Sequence, residues 1–311
     1  MKISKEQLKI WSSQQSIDLS KKTHQQIENT LAVILPSFHE KYQMFLQGSY
    51  KNCTNIHAES DVDIILMRQD CFIYNTPHLT NDHQHQLLFL LRNQSLRALN
   101  YGYKSDQKEA LNIICSSKRE IYNSLIKKYK NNIKVASKAI TILSDTCLNR
   151  RKADLIIAIP YRLYTSSQYF YEGICFHNRK ENKLHINFPK QHSKCLTEKH
   201  QETNNIFKPT IRICKNFCKY LMVKSKGVFT KNLVSSYNIE CMIYNVPSES
   251  FENDLEENII SCLRWIQNAA INEFVCANRL HWLFKGESSW NVSKCKLFVN
   301  TAIDLVAPKV H

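Results

Sequence analysis

Two short stretches constrain this chain more than any other: Gln47-Gly48-Ser49 and, a dozen residues later, Ser60-Asp61-Val62-Asp63-Ile64-Ile65-Leu66. The chain holds only five glycines in 311 residues. One of them stands directly before a serine and just after the apolar run Tyr42, Met44, Phe45 and Leu46. Glycine in a strand-to-helix turn lets the backbone come close to a ligand without a Cβ in the way. Ser49 then offers its hydroxyl and the N–H groups that follow to an anion, as helix N-termini do. In the second stretch a strand places residues two apart on one face. Asp61 and Asp63 therefore point one way, and Val62 and Ile64 point into the core. Two carboxylates held side by side repel unless a cation lies between them. A hard ion such as Mg²⁺, which takes oxygen ligands and is completed by substrate phosphates, meets that need.

A lone Asp-x-Asp is more often a solvated strand edge or turn than a metal site. Gly-Ser, a short spacer and Asp-hydrophobic-Asp-hydrophobic together are far more specific. A third acid follows in Ala153-Asp154-Leu155-Ile156-Ile157-Ala158-Ile159-Pro160. A carboxylate entering an apolar strand is costly without a partner. A metal site shared with Asp61 and Asp63 supplies one; the other reading is an Asp exposed at the strand end.

The length allows one large or two intimate domains with a substantial core. Lys and Arg number 42 against 27 Asp and Glu, a formal charge of +15. Such a field attracts polyanions, whether nucleic acid, membrane surface or nucleoside triphosphates, and charge alone does not separate them. The Met1-Lys-Ile-Ser-Lys start lacks the apolar region of a signal peptide, and no apolar run is long enough to span a bilayer. Twelve cysteines lie scattered without a CxxC ladder. Cys214 and Cys218 have no matching His/Cys pair, so zinc is not expected. Reduced, mostly buried thiols in a cytoplasmic protein are. His78, His83 and His85 read as surface residues rather than ligands.

Along the chain, the apolar spacing predicts a long scaffold helix over 4–33, ended by Pro36, and a first strand at 42–46. Cys71–Tyr74 continues the sheet, and 83–99 reads as an amphipathic helix. Residues 106–130 read as a charged helix, 133–143 as a strand pair or a bent strand, and 153–160 as a strand. Thr210–Val223 has a clear apolar stripe, Pro209 standing where a helix starts. Its other face carries Lys208, Arg212, Lys215 and Lys219, a surface ordinarily solvated but suited to clamping triphosphates. Helices over 235–246, 251–270 and 290–306 complete the chain. Strands early and helices late predict an α+β fold. Its parts are a mixed-sheet catalytic domain over 1–180, with the long N-terminal helix, and a helical lobe over 181–311 that completes a ligand cleft.

The paired Gly-Ser and Asp-x-Asp match the signature of polymerase-β-like nucleotidyltransferases. Beyond that, the sequence resembles the CD-NTases, the bacterial relatives of cyclic GMP-AMP synthase that make cyclic oligonucleotides in antiphage (CBASS) signalling. The resemblance runs in order over about residues 45–250. Gly48-Ser49 with Thr54-Asn55-Ile56 and Ser60-Asp61-Val62-Asp63 is similar to the family's first block. Ala153-Asp154 with Pro160-Tyr161-Arg162 is similar to its third-acid block. Ile186-Asn187-Phe188-Pro189-Lys190-Gln191-His192, Phe207-Lys208-Pro209 and Arg212–Asn216 resemble the block leading into the helical lobe. Ser236-Tyr237 with Glu240, and Tyr244-Asn245-Val246-Pro247, resemble the last.

The resemblance implies a nucleotidyltransferase palm packed on a C-terminal helical lobe, and a two-metal transfer. Asp61 and Asp63 would hold two Mg²⁺ ions, for which Mn²⁺ can substitute, and Asp154 would complete the ion nearest the attacking hydroxyl. Gln47, Gly48 and Ser49 would cradle the donor triphosphate. Lys208, Lys215 and Ser236 would serve its phosphates, and Tyr237 would stack on a base. Asn187 resembles an asparagine that pyrimidine-using members set against uracil, since an amide can satisfy an edge with both donor and acceptor. An Asn that only shapes the loop before Pro189 is the equal alternative. UTP is the expected substrate, with ATP beside it where the product is mixed, and cyclic di-UMP or cyclic UMP-AMP is the expected product, sensed by a downstream effector. No Cys/His set matches the zinc insertion of the animal DNA sensor, so no nucleic acid or membrane is required, and the default state is a monomer. Two rivals share the acids: a template-independent enzyme acting on RNA ends or a small acceptor, and an inactive palm that binds RNA.

Overall fold

The computed structural model describes residues 2–14, 17–56, 61–92, 95–224, 229–230, 233–285 and 290–307. The chain divides into two compact units. One is Ser16–Tyr50 with Glu59–Gln191, and the other is Met1–Gln15, Lys51–Ala58 and His192–His311. The helical unit thus takes the first fifteen residues and a short piece after Gly48-Ser49 in addition to the C-terminal part, where a single cut near 180 was expected.

The first unit is a mixed sheet with helices against it. Its strands are β1 (Tyr42–Gln47), β2 (Val62–Arg68), β3 (Cys71–Asn75), β4 (Arg97–Asn100), β5 (Ile133–Val135), β6 (Ile140–Ile142), β7 (Ala153–Tyr164), β8 (Phe170–Asn178) and β9 (Lys183–Asn187). The path β1-β2-β7-β3-β4 forms the body, and β6 and β8 also pair with the long β7. β2 and β7 run parallel and are nearly continuous in apolar residues, as strands covered on both faces must be. Ile64, Leu66, Leu155 and Ile157 pack with Ile27 and Leu31 of helix Asp18–Ile34 and with Ile121 and Leu125 of helix Lys104–Tyr129. Ile65, Met67, Ala158 and Ile174 form a smaller cluster, with Phe45 packed against it. Each fully buried Leu or Ile contributes about 1.5–3 kcal/mol, so the middle of this sheet is its most rigid part.

Two expectations need correction, and one element is new. The long N-terminal helix is two helices, Lys5–Ser12 and Asp18–Ile34, which fall in different units. Ser12 and Ser13 turn their hydroxyls back onto the Lys9 carbonyl at 2.8 and 3.1 Å, a local bond that competes with helix continuation. The helix expected over 83–99 spans Asn81–Arg92; residues 93 and 94 lie outside the described residues, and Arg97–Asn100 is β4. Leu96 and Leu99 fit either period, and parallel pairing with β3 decides for a strand. The hairpin of β8 and β9 was not foreseen at all.

The helical unit is built on Phe207–Lys224, whose Ile211, Cys214, Phe217 and Cys218 are buried against Ile239, Met242, Ile259, Leu263, Phe298 and Val299. Lys5–Ser12 packs Leu8 into the same core. The twelve cysteines are all free thiols, nine of them buried. Among the described residues, no helix is long and apolar enough to cross a membrane.

Candidate functional site

The acidic residues lie where pleat and register force them. Val62, Ile64 and Leu66 belong to the helix-facing core, which turns Asp61 and Asp63 to the opposite side. Gln47 of β1 is the partner of Asp63, and Asp63 is the partner of Asp154 on β7. The side chains of Gln47, Asp63 and Asp154 therefore share one face of adjacent strands. Thr141 of β6, opposite Asp154, donates its hydroxyl to that carboxylate at 2.5 Å.

Gly48 opens the short helix Gly48–Asn52 with φ of +73°, a conformation L-residues rarely adopt. A Cβ there would run into the Asp63 carboxylate. The turn is thus open on the side that faces the acids. Arg151 holds the next turn, its guanidinium donating to the Tyr50 hydroxyl and its backbone N–H to Thr23 Oγ1 at 3.0 Å.

Lys152 was not foreseen. It stands two residues before Asp154, the spacing that puts it on the same face, and its ammonium pairs closely with Asp61 Oδ2. That hydrogen bond, then the fields of Asp61, Asp154 and Asp63, raise its pKa against the opposing effect of burial. The three carboxylates thus act on one cation. Among the described residues no three Asp, Glu, His or Cys side chains already stand close enough to hold a metal. The donor set nonetheless fits a hard divalent ion. It is made only of oxygens, Lys152 shows that it attracts positive charge, and Gln47 Oε1 is a buried acceptor with no hydrogen-bond partner.

Asn187 ends β9 opposite Ile174. Its Oδ1 accepts from the Phe188 N–H at 2.9 Å, so the oxygen shapes the turn and the amide nitrogen remains the donor. Gly173 makes room for this turn, since a Cβ there would lie 2.8 Å from the Asn187 carbonyl oxygen.

In the helical unit the other residues expected at the site behave differently from one another. Ser236 and Tyr237 open the helix Ser236–Tyr244, capped by Ser235 Oγ, which accepts from Asn238 N–H at 3.1 Å. Ser236 is exposed, and Tyr237 is 37% exposed. The Tyr237 ring stacks on His192 with centroids 5.1 Å apart and planes at 22°. Burial of its hydroxyl, next to Cys241 and Cys276, pushes its pKa far up. Tyr237 is thus anchored at its tip and open along its ring.

The basic face expected on Phe207–Lys224 is largely internal. Lys208, Arg212 and Lys215 are buried, and only Lys219 is exposed. Arg212 donates to the carbonyls of Ser12 and Cys53, each at 2.6 Å, and burial lowers its pKa to about 10. Lys208 meets Thr197 Oγ1 at 3.4 Å, and burial lowers its pKa too. Lys215 reaches Thr54 O at 3.2 Å, Thr54 Oγ1 at 3.0 Å and Glu240 Oε1 at 2.6 Å. Three donors and three acceptors leave that ammonium saturated. Helical spacing alone could not separate a charged face in solvent from one that ties in neighbouring segments.

Residues 194–307 match the family model of the cGAS/DncV-like nucleotidyltransferase C-terminal helical domain. The chain is 30% identical to the cyclic UMP-AMP synthase of Rhodothermus marinus, over 98% of each chain. It is also 30% identical to the cyclic dipurine nucleotide synthase of Elizabethkingia meningoseptica, over 93% of each. The solved structure of the Rhodothermus marinus c-UMP-AMP synthase with Apcpp and Upnpp superposes with a TM-score of 0.78 at 29% identity, covering 97% of this chain and 96% of that one. Likeness over the full length, a matching helical domain and acids on one sheet face lead to one conclusion: the chain belongs to the CD-NTase family, the cyclic GMP-AMP synthase-like nucleotidyltransferases that make cyclic nucleotides.

Proposed function

We propose that this chain joins two nucleoside triphosphates into a cyclic dinucleotide, with UTP as at least one substrate and Mg²⁺ as the cofactor. The observation that carries the reading is the shared face of Gln47, Asp63 and Asp154, with Asp61 held by Lys152 beside them. Asp61, Asp63 and Asp154 hold the metal, Mn²⁺ being able to replace it. When bound, the two ions stabilise the entering and leaving oxygens of an in-line displacement. Gln47, Gly48 and Ser49 of the sheet unit cradle a triphosphate, and in the helical unit Ser236 offers a phosphate contact and Tyr237 a surface for a base. A ribose hydroxyl attacks the α-phosphate of the donor, the new P–O bond forms as pyrophosphate departs, and a second transfer closes the ring. Lys208 and Lys215 serve the nucleotide from behind rather than by contact, because both are buried. The product leaves as a second messenger for an effector in antiphage defence, made by a cytoplasmic monomer.

Base choice rests on Asn187. With one lone pair of its oxygen used by Phe188, the side chain is oriented so that its amide nitrogen offers a donor, which suits a carbonyl such as uracil O4. The test is to incubate the protein with each NTP labelled at the α-phosphate, alongside all four unlabelled NTPs and Mg²⁺, then treat with phosphatase and separate the products. A resistant product labelled from UTP, and missing with Asp61→Ala/Asp63→Ala, is expected. Label from ATP or GTP alone would remove the uracil assignment but keep the enzyme. Label retained on an added RNA or a small acceptor would replace cyclisation by end transfer. No turnover with Mg²⁺ or Mn²⁺, together with RNA binding untouched by the double substitution, would leave a binding module.

Lys152 provides a separate check on the metal. Its ammonium competes with a divalent ion for Asp61, so Lys152→Met is expected to reach half-maximal thermal stabilisation at about two- to fivefold lower Mg²⁺, the range of a half-exposed ion pair. An unchanged midpoint with a raised KM for NTP would show that Lys152 serves the phosphates instead.

A further inference from the structure

Glu240 is a carboxylate sealed inside the helical unit, 4% exposed, on the helix Ser236–Tyr244 that also carries Ser236 and Tyr237. It gathers polar groups from three other segments. Lys215 donates to Oε1 at 2.6 Å and Thr54 Oγ1 to the same oxygen at 2.5 Å. His192 Nε2 lies 2.8 Å from Oε2, and Asn52 Nδ2 lies 3.4 Å from it. Burial would raise the carboxyl pKa, but the Lys215 and His192 charges and hydrogen bonds hold it far below the usual carboxylate range. Lys215 closes the cluster by binding Thr54 a second time, at its carbonyl.

Such a cluster is a poor way to gain stability, since an apolar group of the same volume packs as well without desolvating a charge. What it supplies is position. His192 is only 5% exposed, its Nε2 is fixed on Glu240, and its Nδ1 is buried with no hydrogen-bond partner. One bond therefore sets the plane of the imidazole. That imidazole is the floor on which the Tyr237 ring lies. Tyr237 is also tied at its hydroxyl end beside Cys241 and Cys276. With one face of its ring lying on the imidazole, Tyr237 takes its orientation from the plane of His192.

We propose that Glu240 is a positioning residue for nucleotide binding: it orients His192, and through it the ring of Tyr237, to receive a nucleobase. It touches no nucleotide itself. This rests on the role given to Tyr237 under the proposed function. The chemical class recognised is a planar heterocyclic base, held by stacking that tolerates any base.

The test is a double-mutant cycle read by steady-state NTP kinetics on the full chain, with thermal stability measured in parallel. Tyr237→Ala is expected to raise KM for NTP by about 5- to 150-fold, the loss of one stacked base. Glu240→Gln, which keeps the shape but removes the charge, is expected to raise KM about tenfold with kcat within about twofold, inside the range that coupled residues show. In the Tyr237→Ala background the same Glu240→Gln change is expected to leave KM unaltered, although its effect on thermal stability persists. His192→Phe keeps an aromatic floor without the bond to Glu240. It is expected to reproduce the KM effect, and it decides the matter if Glu240→Gln does not fold. Full additivity of the KM effects, or a loss of stability with wild-type KM, would overturn the proposal while leaving the cyclase reading intact. Absence of NTP turnover in the wild-type protein would overturn the cyclase reading and this inference with it.

Discussion

Asp63→Asn is expected to lower pyrophosphate release at saturating NTP and Mg²⁺ by about a thousandfold or more while leaving the fold undisturbed. Loss of an outer partner of a metal ligand costs about 10- to 100-fold, and loss of a ligand itself costs more. Among the acids, Asp63 is the one paired in register with both neighbours of the site face, Gln47 on β1 and Asp154 on β7. Its backbone belongs to a strand whose other face is fully buried, so an isosteric amide keeps every packing contact. The melting temperature is expected to hold or to rise slightly, because one of three like charges is gone and Lys152 already partners Asp61. Thermal stabilisation by Mg²⁺ should vanish with the activity. A variant that retained more than a tenth of wild-type turnover would remove Asp63 from the metal site. A variant that lost activity but kept its Mg²⁺-dependent stabilisation would confine it to the nucleotide.

The common face of the acids was legible in the sequence because strand periodicity is rigid. Once Val62, Ile64 and Leu66 are assigned to the core, Asp61 and Asp63 have only one face left. The same logic places Asp154 between Ala153 and Leu155. Lys152 obeys that rule too, two residues before Asp154, and its pairing with Asp61 could have been found by reading the alternation one step further back. The helical unit was harder to read. Lys208, Arg212 and Lys215 recur at helical spacing, which shows that they share a side of a helix but not what lies against that side. The answer depends on Ser12, Cys53, Thr54, Thr197 and Glu240, which come from elsewhere in the chain and which no local pattern links to these cations. Secondary structure failed for a related reason. Leu96 and Leu99 sit at spacing compatible with a continued helix, and it is pairing to β3, a non-local contact, that makes Arg97–Asn100 a strand.

Gly48→Ala is expected to reduce turnover by about a hundredfold or more. Two separate costs meet at this position. At φ of +73° an L-residue is disfavoured by about 1–2 kcal/mol relative to glycine. The added Cβ would also collide with the Asp63 carboxylate, and with β2 held between β1 and β7 that carboxylate can give way only by turning about its own side-chain bonds, out of the position it holds beside the turn. Either the turn or the carboxylate must move, and both belong to the proposed site. An error of about 1 Å in a reacting constellation costs about a hundredfold. Gly48→Asn separates the two costs, since asparagine tolerates left-handed backbone but still carries a Cβ. If the contact with Asp63 dominates, Gly48→Asn should be nearly as inactive as Gly48→Ala while melting closer to wild type. If backbone strain dominates, Gly48→Asn should recover much of the activity. Gly102→Ala is the reference: its Cβ would stand 3.2 Å from the Asn100 side chain, a contact the neighbour can relieve, and turnover should stay within about twofold of wild type. A Gly48→Ala protein as active as Gly102→Ala would mean that the turn does not come close to the reacting groups, and the donor triphosphate would then have to be cradled elsewhere.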